Sequence, residues 1–362
     1  MIEHVGGPAS LPAYVMRSDW AHQREVPGAE AAWAHNGIVV TTRGELIGFH
    51  AGQLVAFDQE GNVVRVVRPG LTEGHGITLV REGDRELLWV TDPGFVFLTN
   101  DGDGDDEWAT LFGKGVLRES RAPRVVKMTL DGEILFELPL PPTDADASPG
   151  IMGQYCPCGS AIDEERFGGT GDVWVADGYG SSVVHRFDKE GRHLLALTGD
   201  EGGGRFLCPH AVFINRRPDN PPELYVADRE NRRVQIFDLD GRYLRTIGTP
   251  FLSSPSGFAR WGEFLVIAEL YSRLALLDSD DELVGYIGGD EVAREDHGWP
   301  ARPGWPNALD DQGRAQAPDP ALPERLNSPH SVTVDADGNL YISEWLIGGR
   351  YSKLALIRGG NV

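Results

Sequence analysis

Three histidines occupy one slot of a recurring sequence pattern. His75 lies in GHGITL, His210 in PHAVFI and His330 in PHSVTV. Each is followed by a short β-rich run. Two further copies carry Cys158 in PCGSAI and Ser256 in PSGFAR, and the first copy has no histidine in its matching slot. Neutral imidazole is a common metal ligand. Three such nitrogens with one position left open are what a catalytic zinc site needs, and iron, copper or nickel could use the same set. The alternative is three hydrogen-bonding core histidines, which strict alternation between copies makes hard to explain.

The elements that position them are short strands. From Cys208 to Gly248 the chain reads AVFIN, ELYVAD, RRVQIFD and RYLRTIG, four β runs bounded by Asp, Asn, Gly and Pro. This four-strand unit recurs six times, at about 29–70, 71–140, 150–199, 205–248, 254–288 and 327–358. A repeat of that size is one propeller blade. The spacing predicts an all-β, six-bladed β-propeller with a central channel, spanning 1–362 as one domain. Residues 1–28 are expected to wrap the outside, with Val15 or its neighbours adding an edge strand. Insertions at 95–122 and 289–326 are expected to overhang the channel mouth and shape specificity. In such a ring the slot histidines of the second, fourth and sixth blades stand about 120° apart around the channel.

A second recurring feature closes one strand of each later unit: WVTD, WVAD, YVAD, VIAE and YISE, ending in Asp92, Asp177, Asp228, Glu269 and Glu344. Acids repeated at one blade position are expected to accept hydrogen bonds from turn N–H groups. Alternating Asp101, Asp103 and Asp105 in the first insertion could chelate calcium, or form a solvated loop.

The formal charge is −22, from 33 basic and 55 acidic residues. Nucleic acid and anionic membrane are poor partners for that field. No run of eighteen apolar residues is present. With no signal-peptide pattern at the N-terminus, the expected location is the cytoplasm. Cys156, Cys158 and Cys208 are too few for a disulfide framework and read as reduced, structural thiols. His4, His22, His185 and His297 follow no pattern and read as surface or packing residues.

At VADGYGSSVVHRFDKEG, PHAVFI, YVADRENRRVQIF and PHSVTVDADGNLYISE the chain resembles the NHL-repeat propellers, and among them peptidyl-α-hydroxyglycine α-amidating lyase. The resemblance covers most of 29–358 outside the two insertions. It implies zinc on His75, His210 and His330, a catalytic tyrosine at Tyr179, and catalytic arginines at Arg229 and Arg43. It also implies a structural Ca²⁺. There Ser331 follows His330 where the family has an aspartate, leaving the carbonyl of Ile77, one near Glu30, or the Glu30 side chain as donors. Gly180 replaces a cysteine of the secreted members, which fits a reducing compartment.

The implied reaction is carbon–nitrogen lysis of an α-hydroxy amide. Zinc lowers the pKa of a bound hydroxyl, Tyr179 acts as base, and the arginines hold a carboxylate or developing charge. The substrate is a small-molecule or peptide-like compound. A metallohydrolase using the same metal, and a non-catalytic NHL-repeat binding scaffold, remain alternatives. Cys158 is a candidate extra ligand, and the oligomeric state is open.

Overall fold

The computed structural model describes residues 3–4, 11–17, 20–21, 23–100, 102, 106–142, 150, 152–289, 304–318 and 325–357. Six four-stranded antiparallel blades surround one axis. Their innermost strands are Ile38–Val40, Gly76–Glu82, Gly159–Ile162, Pro209–Asn215, Pro255–Trp261 and Pro329–Val334. The sixth blade is completed by Tyr14–Arg17, which pairs with Arg350–Leu356. The expected N-terminal edge strand therefore exists, and it joins the two ends of the described chain. Glu3–His4 adds a fifth strand outside the fifth blade.

Burial explains why the middle strands read as apolar runs. Leu46–His50, Val173–Asp177 and Leu340–Glu344 are buried at every residue, because a neighbouring blade covers each face. Outermost strands alternate instead, as Val63–Val67 does. Six apolar clusters fill the seams between adjacent blades. The strand turns are built on Asp. In Asp238–Gly241, one Asp238 carboxylate oxygen accepts the N–H groups of Asp240 and Arg242 at 3.0 and 2.8 Å. Gly241 closes the turn at φ 86°, which favours glycine.

The strand-end acids clamp the start of the innermost strand in five of the six blades. Asp92 accepts from the backbone of Thr72 and Glu73, just before His75. Asp177 holds Cys156, and Asp228 holds Leu207. Glu269 holds Ser253 and Ser254, and Glu344 holds Asn327 and Ser328. The sequence expectation of turn-binding acids is met at all five. In the first blade His50 takes this place. It sits against a carbonyl, that of Ala29 at 3.0 Å, instead of accepting N–H groups.

The first insertion is a hairpin, Phe95–Thr99 with Val116–Ser120, enclosing the helix Asp106–Phe112. The second contains the hairpin Ala308–Leu309 with Ala315–Gln316. They dock on each other: Lys114 N–H donates to Gly313 at 2.8 Å, and Ala315 N–H donates to Lys114 at 3.0 Å. Both pack on a seventh cluster that contains Trp33, Phe97, Trp108, Tyr179, Ala315 and Trp345. Asp101, Asp103 and Asp105 lie outside the described residues.

Glu344 tests the clamp. Its side chain is fully buried and pairs with Arg350. Glu344→Ala leaves two backbone donors and one guanidinium without their acceptor. We expect a loss of about 3–5 kcal/mol in chemical denaturation, against less than about 0.5 kcal/mol for the surface change Glu133→Ala. Equal effects would remove the clamp from the account.

Candidate metal centre

Each slot histidine is held by the blade beside it. His75 Nδ1 lies 2.6 Å from the Cys158 carbonyl, His210 Nδ1 2.8 Å from that of Ser256, and His330 Nδ1 3.1 Å from that of Asn36. Blades two, four and six thus supply imidazoles, and blades three, five and one supply the carbonyls behind them. A carbonyl can only accept, so Nδ1 carries the ring proton and Nε2 is a bare lone pair.

Those lone pairs converge on the axis. His75 Nε2 and His330 Nε2 face each other at 3.2 Å with no proton between them. Tyr179 Oη lies 3.1 Å from His210 Nε2 and 3.3 Å from His75 Nε2. Facing lone pairs repel, and a cation between them removes the repulsion. Ligand atoms on a tetrahedral ion with bonds of about 2.0–2.1 Å lie about 3.3 Å apart. The donor set therefore fits a small divalent metal in its chemistry, and the His75–His330 pair in its spacing. Burial holds the rings neutral, as ligation requires: His75 and His210 are pushed well below the usual imidazole range, and His330 down to about 3.

Tyr179 reaches the axis from the DGYG turn after Asp177. A side chain at Gly178 would strike the Pro209 carbonyl, and one at Gly180 would strike Asp177. Of these three turn residues, only position 179 has room for one. Burial raises the Tyr179 phenol well above its ordinary range, and Arg229 pulls the other way. Arg229 Nη1 donates to Tyr179 Oη at 3.1 Å, and the guanidinium carbon lies 5.3 Å from the ring centroid. Arg229 also pairs with the exposed Glu230 at 3.0 Å.

Five of the six residues expected from sequence, His75, His210, His330, Tyr179 and Arg229, come together here. Arg43 does not. It is exposed in the Thr41–Gly44 turn. The innermost strand starts at the ring and runs away from it, so the turn that follows lies at the opposite end. Glu30 is also exposed, and its charge acts on His50. Ile77 and Ser331 line the channel beneath the ring, a cavity of about 570 Å³. Cys158 contributes its carbonyl, while its thiol faces the Cys156 carbonyl at 3.7 Å. All three cysteines are free and buried. His185 is half of a pair with His193 at 3.1 Å in the third blade.

A fourth histidine was missed. His35 Nε2 lies 2.9 Å from Tyr179 Oη, and one ring nitrogen from each of His35, His75, His210 and His330 lies within 4.8 Å of the others. The first blade's slot residue is Asn36, so His35 stands one residue early, where four of the other blades have proline and the second has Gly74. Pairing of Trp33–Ala34 with Leu346–Ile347 holds it there. AHNG beside the slot was the available signal.

The titration of the ring can be tested on chelator-treated protein. His330 titrates at about 3 when folded and at about 6.5 when unfolded. Between these values the unfolded chain binds the extra proton, so stability falls as pH drops through the window. Asp177, pushed up to about 6 from 3.8 by burial, acts in the opposite sense. His330→Asn should flatten the acid limb of the denaturation midpoint plotted against pH. An unchanged limb would show that His330 is not held neutral.

No family model matches the chain. It is 34% identical over 128 residues to NHL repeat-containing protein 3 of Homo sapiens, covering 33% of this chain and 35% of that protein. It is 23% identical over 181 residues to a Caenorhabditis elegans protein named "Probable peptidyl-alpha-hydroxyglycine alpha-amidating lyase", covering 48% of this chain and 43% of that one. These matches span well under two thirds of the relatives' own length. Among solved structures, a streptogramin B lyase superposes over 95% of this chain and 98% of its own with a TM-score of 0.51 at 13% identity, a likeness of fold alone. The chain is a six-bladed β-propeller that resembles the NHL-repeat proteins, peptidyl-α-hydroxyglycine α-amidating lyase among them.

Proposed function

We propose that the protein is a metal-dependent lyase that cleaves the carbon–nitrogen bond of a small or peptide-like α-hydroxy amide. The observation that carries this reading is the convergence of three bare Nε2 atoms with Tyr179 Oη on the axis. The lyase assignment draws its support from the sequence similarity to the C. elegans protein.

His75, His210 and His330 would hold the metal, with zinc as the first choice for three neutral imidazoles. When bound, it would acidify the substrate hydroxyl and stabilise the alkoxide. Tyr179 Oη takes the hydroxyl proton. The C=O bond forms as the C–N bond breaks, and the same proton passes to the departing amide nitrogen. Products are a primary amide and an aldehyde or oxo acid, with no net proton gained or lost. Arg229, donating to Tyr179 Oη at 3.1 Å, favours the phenolate that takes the first proton and is restored after the second transfer. With Arg43 remote, Arg229 is the arginine left to meet a substrate carboxylate. The aromatic cluster covers the reacting atoms on one side, and the channel of about 570 Å³ beneath the ring leaves a path to them from the other.

Metal analysis and turnover test this reading. Protein purified without chelators should carry close to one metal per chain, and His210→Ala should lose it. An N-acyl-α-hydroxyglycine in oxygen-18 water should yield unlabelled amide above the uncatalysed rate. Oxygen-18 in a carboxylate released from the acyl group would instead make the protein a hydrolase. Tyr179→Phe should lower kcat by about 10²–10⁴ with metal retained. No stoichiometric metal and no turnover would leave a binding scaffold.

A further inference from the structure

We propose that His35 is itself a ligand of this centre, so that it presents four nitrogens instead of three. The inference rests on the metal reading above, and three observations carry it. The first is position. The His35 ring centroid is 4.4 Å from that of His75 and 4.7 Å from that of His330, spacings like the 4.5–4.9 Å among the slot histidines themselves.

The second is direction. His35 Nε2 faces Tyr179 Oη at 2.9 Å, the same oxygen that His75 and His210 approach with Nε2. A histidine placed here only for packing has no reason to aim at the atom on which the others converge. His50 shows the contrast. It is also fully buried, but its Nε2 faces the Ala29 carbonyl.

The third is what stands behind the ring. Ligating histidines nearly always have an acceptor at the other nitrogen. For the slot residues it is a carbonyl. For His35 the nearby acceptor is the carboxylate of Glu73, two residues before His75. Glu73 Oε1 accepts the His35 backbone N–H at 3.0 Å, and Oε2 lies 3.9 Å from His35 Nδ1. At that distance neither Nδ1 nor Oε2 has a hydrogen-bond partner, and both side chains are over nine-tenths buried. Unmatched polar atoms at such depth cost stability. A buried carboxylate behind an imidazole that meets a dication gives both atoms a use. Asp92 fixes the segment by accepting the Glu73 N–H at 3.2 Å.

A three-histidine catalytic zinc site keeps its remaining position open. Here that position has an imidazole beside it, so the substrate hydroxyl must enter past a displaceable ligand. The first blade, which lacks a slot histidine, contributes to the centre all the same.

X-ray absorption of the zinc-loaded wild-type protein counts the imidazoles directly, and four are expected. Cobalt-loaded wild type and His35→Ala then give a second measurement. The variant should keep one equivalent of cobalt and bind it at least about tenfold more weakly in competition with a chelator. Its visible spectrum should differ, and added imidazole should restore the wild-type bands. Three imidazoles in the wild type, or a variant with unchanged affinity and spectrum, would overturn the proposal and leave the three-histidine centre standing. A wild-type protein that takes up no metal would overturn both. The wild-type count holds even if His35→Ala fails to fold, and His35→Gln repeats the comparison with a side chain of similar reach.

Discussion

The centre depends on one hydrogen bond made three times, from an imidazole Nδ1 to the backbone carbonyl of the next blade. Each bond fixes the ring's tautomer and aims its lone pair inward. It also forces alternation. A slot whose carbonyl must receive its neighbour's imidazole is best filled by a residue that does not crowd the axis. Asn36, Cys158 and Ser256 fill those slots. Ser256 sends its hydroxyl to the Ala268 and Pro329 carbonyls, and Asn36 its amide to the carbonyl of Gly37 and to Tyr351. A propeller with six blades is the smallest even ring in which three donors and three acceptors alternate at this spacing.

That bond holds its geometry only if the start of each innermost strand is fixed. The strand-end acids do this from inside their own blade, each accepting backbone N–H groups two or three residues before the slot. A carboxylate takes several such donors at once, which a neutral side chain cannot. Asp92, Asp177, Asp228, Glu269 and Glu344 are buried for this reason, and guanidinium groups beside Asp228, Glu269 and Glu344 offset the cost of burying charge. The first blade has no such acid. Its entry segment is instead tied to the sixth blade through Trp33–Ala34, and this different anchoring is what brings His35 to the axis.

Repetition made most of this legible. Because equivalent positions in a ring face one point, His75, His210 and His330 could be placed together from spacing alone, and the acids could be read as clamps. Tyr179 and Arg229 sit one or two residues beyond those acids, in turns whose direction the repeat also sets. Arg43 was misplaced because a short TTRG match says nothing about which end of the blade its turn occupies. AHNG puts a histidine one residue before the slot, but that His35 reaches the axis depends on pairing with Leu346–Ile347, more than three hundred residues away. The same holds for the docking of the two insertions, which is made through backbone atoms of Lys114, Gly313 and Ala315.

The aromatic cover bears on which chemistry suits the centre. Trp33 and Phe112 meet edge to face at 5.1 Å, and Trp345 lies 5.4 Å from the His35 ring. Such a cover lowers the local dielectric, which strengthens the Arg229 interaction with Tyr179 and raises the cost of any unmatched charge. It covers the axis on one side, while the channel of about 570 Å³ reaches His75, His210 and His330 from the other. A hydrolase must admit water as a reactant and hold it at the metal. A lyase that moves one proton from oxygen to nitrogen consumes no water, and a nucleophilic solvent near its intermediate would only divert it. A phenol beside the three Nε2 atoms, with an arginine to steady it, supplies the proton carrier that the proposed elimination needs.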